Sequence, residues 1–199
     1  KKISLIPRGV DIHHFSPKSK KLNLLEQLLI PKSEKVILTV ANLVPVKGIE
    51  VLLDAFELLS KNNDNITLLI VGENNNEYGT TLKKKSKRMK FNHKILFIGK
   101  VQNIVDYYSI ADIFILPTLK KGEGCPVSLL EAMACGLPVL ASDIPGIQDI
   151  LEPIHHCLFN AGEVPELQKG IEKLLIKNKN KNKNNRDQIK MNYSIEKEV

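Results

Sequence analysis

Two glutamates, Glu123 and Glu131, stand with seven residues between them in KGEGCPVSLLEAMACG, Lys121 to Gly136. The first precedes a helix start. The second lies inside that helix, about one turn on. Pro126 suits the first turn of a helix, where a missing N–H is no loss. The amides of Val127 and Ser128 then have no partner within the helix. With the partial positive charge of a helix start, they form a cradle for an anion. Gly124 permits close approach of the backbone to a ligand. Glu131 sits among Leu129, Leu130 and Met133, and a carboxylate there needs solvent or a hydrogen-bond donor. The hydroxyls of a ribose or another sugar are such donors. An anion cradle flanked by two polyol acceptors suits a sugar nucleotide. On residue types alone, a surface loop position for Glu123 and a helix-surface position for Glu131 fit equally well.

Three other loops carry chemistry-bearing residues. In NLVPVKGIE, Lys47 stands beside a helix start, and an ammonium there adds to the anion-binding character of the free amides. The GxxxxGK[ST] spacing of a P-loop is missing. In isolation, an exposed surface lysine is the simpler account of Lys47. Gly9 in IPRGVD and Gly72 in LLIVGENNNEYG each close an apolar run, which a plain turn also explains. The GxGxxG fingerprint occurs nowhere, which excludes a nicotinamide-dependent dehydrogenase of the usual kind.

The elements that must position these residues alternate in type. KVILTVA (Lys35 to Ala41), ITLLIVG (Ile66 to Gly72), ILFIG (Ile95 to Gly99), DIFILP (Asp112 to Pro117) and PVLASD (Pro138 to Asp143) read as buried strands, and HCLFN (His156 to Asn160) as a sixth. Between them, Ile49, Leu52, Leu53, Phe56 and Leu59 form one helical stripe. Further helices are expected over Glu77 to Lys90, from an Asn103 cap to Ala111, over Val127 to Cys135 and over Val164 to Ile176. The expectation is an α/β fold: a Rossmann-like parallel sheet of about six strands with helices on both faces. Its ligands belong at the carboxyl ends of the strands, near a topological switch point. Residues 1–176 form this domain, the Lys/Asn-rich residues 177–185 a flexible loop, and residues 186–199 a C-terminal helix.

Bulk composition narrows the function classes. The chain has 199 residues, 43% hydrophobic, enough for one sizeable core. No run approaches the roughly 18 apolar residues of a membrane span. KKISLIPRGVD is not a signal peptide, because Pro7 and Arg8 interrupt a short apolar stretch. Cys125, Cys135 and Cys157 are widely spaced and make no CxxC pair, so they read as reduced thiols of a cytoplasmic protein. The doublets His13-His14 and His155-His156 do not face one site together, and no metal is expected. Net charge is +7, concentrated in Leu82 to Lys100, with eight Lys or Arg and no acid. Few aromatics interleave these cations, which argues against nucleic acid. The cluster from Lys83 to Lys94 suits contact with the cytoplasmic face of an anionic membrane.

The stretch EGCPVSLLEAMACGLPVLASDIPG resembles the E-x7-E segment of glycosyltransferase family 4 (group 1), the retaining sugar-nucleotide transferases of GT-B fold. IPRGVDIHHF, VANLVPVKGIEVLLDAF, LLIVGE, ILFIGKV and YYSIADIFILP follow the same family in the same order. The resemblance spans Ile3 to about Leu175. It implies that Glu131 bonds the ribose and Glu123 the donor sugar, that backbone amides between them, around Gly124 and Cys125, hold the diphosphate, and that Lys47 neutralises it as it leaves. It places the base near Gly99, Lys100 and Val101, and adds Gly9, Gly72 and Asn42 to the donor site. Asn42 stands where the family carries an arginine, and Cys125-Pro126 where it carries an aromatic-Gly pair. The resemblance further implies a donor-binding, C-terminal half of a GT-B enzyme. The donor would be a UDP-, GDP- or ADP-sugar, no cofactor would be needed, and a glycan or lipid-linked acceptor would be held by an N-terminal domain absent here. A non-catalytic sugar-nucleotide-binding subunit and a GT-B epimerase are the alternatives. EAMACGLPV favours a transferase over the epimerase.

Overall fold

The computed structural model describes residues 9–119, 123–151, 157–176 and 183–197. Among the described residues there are six strands: β1 (Lys35–Val40), β2 (Ile66–Val71), β3 (Ile95–Gly99), β4 (Ile113–Leu116), β5 (Val139–Ser142) and β6 (Leu158–Phe159). They form one sheet in the order β3-β2-β1-β4-β5-β6. Every pairing is parallel. β1 runs beside β2 in unbroken register from Lys35↔Ile66 to Val40↔Val71.

Side chains alternate across the sheet, and each set meets its own layer of helices. Ile37, Leu68, Ile70, Ile115 and Leu140 pack with Leu52 and Phe56 of α2 (Ile49–Ser60), Leu82 of α3 (Glu77–Lys87) and Leu167 of α7 (Val164–Ile176). Val36, Leu38, Leu69, Phe114 and Val139 pack on the other face. There they meet Leu25 of α1 (Leu22–Gln27), Tyr108 of α4 (Ile104–Ile110), Leu129 of α5 (Val127–Ala134), Ile147 of α6 (Ile147–Leu151) and Ile189 of α8 (Lys183–Asn192). Each fully buried Leu, Ile or Phe contributes about 1.5–3 kcal/mol of hydrophobic stabilisation. Burial on both faces is why the strands read as continuous apolar runs.

Element boundaries differ from the sequence reading at four places. α3 ends at Lys87, before Lys90, and starts at a cap the pattern did not show: the Asn76 side chain accepts from the Gly79 amide at 2.7 Å. Asn103 precedes α4 with its side chain making no cap bond. β6 is only Leu158–Phe159, and His156 lies outside the described residues. The last helix is Lys183–Asn192 rather than 186–199. It starts early because Asn185 and Arg186 are anchored: Asn185 donates to the Leu137 carbonyl at 3.1 Å, and Arg186 to the carbonyls of Phe15, Ile12 and Ala134. It stops early because the chain turns to pair with the N-terminal segment, the Val10 amide donating to the Tyr193 carbonyl at 2.8 Å. Residues 177–182 of the expected loop, and the apolar run before Gly9, lie outside the described residues.

Candidate functional site

In this strand order the sheet reverses direction of growth between β1 and β4, so a crevice opens at their carboxyl ends. The loops leaving these two strands are tied across it. The Leu119 amide donates to the Val46 carbonyl at 2.8 Å. Gly48 has φ +64°, and a Cβ there would lie 1.9 Å from the Pro117 carbonyl oxygen. Only glycine allows this approach. The preceding residue, Lys47, ends a short 3-10 turn, Pro45–Lys47, and is thereby aimed into the crevice.

Glu123 meets it there. Lys47 Nζ donates to Glu123 Oε1, and Thr118 Oγ donates to the same oxygen at 3.1 Å. The lysine side chain is 23% exposed and the glutamate side chain 9%. An exposed pair of this kind would contribute little. Here both charges are largely removed from water, so loss of either partner leaves the other poorly compensated. A third loop closes the floor. Gly146, after β5, has φ +81°, and a Cβ there would lie 2.4 Å from the Gly124 carbonyl oxygen. Gly146 and Thr118 were missed as site residues in the sequence. The Pro145-Gly146 pair, a turn signal just after a strand, was the available clue for Gly146.

α5 begins at Val127, with Pro126 in the capping position (φ −75°, ψ 99°) rather than inside the first turn. The Pro126 carbonyl accepts from the amides of Leu129 and Leu130 at 3.0 and 3.3 Å. The amides of Val127 and Ser128 therefore precede the helix's own bonding. Around Gly124, nothing among the described residues lies within 4 Å of an added Cβ. Cys125 is half-buried beside it.

Glu131, also half-buried, accepts through Oε2 from the Tyr108 hydroxyl at 2.8 Å. Tyr108 comes from α4 and is 1% exposed. Burial, and then the Glu131 carboxylate, raise its pKa well above the usual phenol range, so it keeps its proton. In the sequence it read as one more residue of an ordinary short helix. One turn past Glu131, burial and then the same carboxylate push the Cys135 thiol up to about 12. The nucleophile is the thiolate. Cys135 is therefore expected to resist iodoacetamide at pH 8 in the folded chain and to react on unfolding, as mass spectrometry of the labelled protein would read.

The other sequence candidates lie at the same sheet edge or beyond it. Asn42 is exposed, and among the described residues its Oδ1 receives a long 3.4 Å contact from the Glu73 amide. Gly72 (φ +142°) is required by packing, since a Cβ would lie 2.0 Å from the Ala41 carbonyl oxygen. Its amide donates to Gly99 at 3.0 Å. Gly99, exposed Lys100 and half-buried Val101 close β3, two strands and about 10 Å from β1. Gly9 lies toward the C-terminal tail, next to Val10, which pairs with Ser194. Of the basic cluster, Lys83 bonds Asn74, Lys85 bonds Glu50 and Asp54, and Lys94 bonds Glu34. Lys84, Lys87, Arg88 and Lys90 are exposed. Among the described residues, no helix is long and apolar enough to cross a membrane.

Residues 20–192 match the family of glycosyl transferases group 1. An uncharacterised glycosyltransferase of Haemophilus influenzae is 31% identical over 180 residues, 85% of this chain and 50% of that protein. The UDP-Gal:alpha-D-GlcNAc-diphosphoundecaprenol alpha-1,3-galactosyltransferase of Escherichia coli is 34% identical over 73% of this chain and 38% of its own length. The chain thus spans half or less of these curated relatives. The HepE protein of Anabaena, solved with UDP and glucose, superposes with a TM-score of 0.86 at 22% identity, covering 98% of this chain and 54% of HepE. At that identity the likeness concerns the fold, and the fold is one half of a GT-B glycosyltransferase. With the family matched from Lys20 to Asn192, the chain belongs to the group 1 glycosyl transferases.

Proposed function

We propose that this chain is the donor-binding half of a retaining hexosyltransferase. It would hold a nucleoside diphosphate sugar while a second domain supplies a glycan or lipid-linked acceptor. The observation that carries the reading is the meeting of Lys47, Glu123 and the α5 start at the switch point of the sheet. The diphosphate would sit against the amides of Val127 and Ser128, with Lys47 turning from Glu123 to the phosphate. Negative charge that grows on the leaving diphosphate would meet an ammonium and a helix start already in place, which lowers the barrier. Glu123, released from Lys47, would accept hydroxyls of the sugar, and Glu131 those of the ribose. Attack from the face the diphosphate leaves would keep the anomeric configuration. No metal has a role in this scheme, because Lys47 and the helix start answer the diphosphate charge. The E. coli relative is named for a UDP-sugar, and HepE was solved with UDP and glucose. Both agree with a nucleotide-sugar donor. The chain alone would bind donor and turn over little, because the acceptor side belongs to the other half.

Calorimetric titration with UDP, GDP and ADP tests the reading. At least one is expected to bind. Binding by none of them, with the fold intact by circular dichroism, overturns it. Glu131→Ala is expected to weaken the bound nucleotide by about 1.5–3 kcal/mol, roughly 10- to 150-fold, while the chain stays folded. Unchanged affinity in the folded variant would remove Glu131 from the ribose site.

A further inference from the structure

We infer that Tyr108 is a positioning residue for the ribose contact: its buried hydroxyl, 2.8 Å from Oε2, fixes the Glu131 carboxylate toward the nucleotide. The inference rests on the reading of Glu131 as the ribose acceptor. A glutamate side chain has three rotatable bonds, and ordering it opposes binding. Tyr108 removes that freedom before the ligand arrives. Its ring is itself held, edge-on to Phe15 at 6.2 Å and tilted against Phe114 at 6.1 Å between centroids. The hydroxyl has one proton and, among the described residues, two acceptors in reach, Glu131 Oε2 at 2.8 Å and the Ser128 carbonyl at 3.3 Å. The shorter bond to a carboxylate is the stronger. Ser128 and Glu131 are three apart on α5, hence on one face. The same hydroxyl therefore touches the carboxylate that reads the ribose and the first turn whose amides face the diphosphate. The raised phenol pKa keeps Tyr108 a donor across the working pH range.

A merely structural hydroxyl predicts lower thermal stability for Tyr108→Phe and nothing else. A positioning hydroxyl predicts a selective loss. The experiment titrates the wild-type chain, Tyr108→Phe, Glu131→Ala and the double variant with whichever of UDP, GDP or ADP binds, and with its dideoxyribose counterpart. Wild type is expected to prefer the ribose form. Tyr108→Phe is expected to cut that preference about 5- to 30-fold, with affinity for the dideoxy form unchanged. In the Glu131→Ala background the Tyr108 substitution is expected to change the preference no further. A wild-type preference retained in Tyr108→Phe overturns the inference, as does an additive loss in the double variant. A wild type with no ribose preference instead overturns the reading of Glu131, and the inference with it.

Discussion

Lys47→Ala is expected to weaken nucleoside diphosphate binding by about 1.5–3 kcal/mol, roughly 10- to 150-fold, while binding of the nucleoside alone changes little. The ammonium is a charged donor that the β1–β4 crevice presents beside the amides of Val127 and Ser128, which precede the helix's own bonding. It is already engaged by Glu123, whose side chain is 9% exposed. Binding of a diphosphate must break that pair, so part of the attraction between lysine and phosphate is offset. Glu123→Gln therefore carries the opposite sign for the bare diphosphate. It frees Lys47 and is expected to tighten UDP, GDP or ADP slightly, while the extra affinity contributed by an attached sugar is lost. Titration of both variants with the nucleoside, the diphosphate and the diphosphate sugar separates these effects. If Lys47→Ala lowers the melting temperature but leaves diphosphate affinity per folded molecule intact, the lysine serves only to neutralise Glu123.

How much of this was legible beforehand follows the range of each interaction. The central strands were visible because a strand buried on both faces is apolar along most of its length, as β2 is from Ile66 to Val71, and the edge strand β3, half-buried after Ile95, was visible from its apolar run. The stripe of α2 was visible for the same reason, a local period. The two glutamates stood out because their spacing around a helix start is also local. What was not visible depends on topology. The Lys47–Glu123 pair joins residues 76 positions apart, and they meet only because β1 and β4 are neighbours in the sheet. Tyr108 reaches Glu131 only because α4 packs beside α5 under the same sheet face. Asn103 stands at the start of α4 and makes no cap, whereas Asn76 makes one, because capping needs a backbone angle that the pattern does not encode. The end of α8 was missed because it is set by a pairing with Val10, almost the whole chain away.

Gly48→Ala is expected to be among the most damaging small substitutions at the site, although residue 48 contacts no ligand in this scheme. The left-handed backbone at φ +64° costs a non-glycine residue about 1–3 kcal/mol. The added methyl would also lie 1.9 Å from the Pro117 carbonyl oxygen, a backbone atom with no flexible side chain to yield. One of the two crevice loops must therefore move. The loops are held together by the bond from Leu119 to Val46 and, one residue from Gly48, by Lys47 reaching Glu123. The expected result is a melting temperature several degrees lower, at about 2–4 °C per kcal/mol for a chain of this size, together with loss of diphosphate affinity in the molecules that remain folded. Gly124→Ala is the matched control, since nothing described lies within 4 Å of its added methyl. It should leave the melting temperature unchanged. If it nonetheless weakens nucleotide binding, the open space at Gly124 is where the ligand approaches the backbone. A Gly48→Ala chain that melts and binds as wild type would show that the contact of the two loops does not place Lys47.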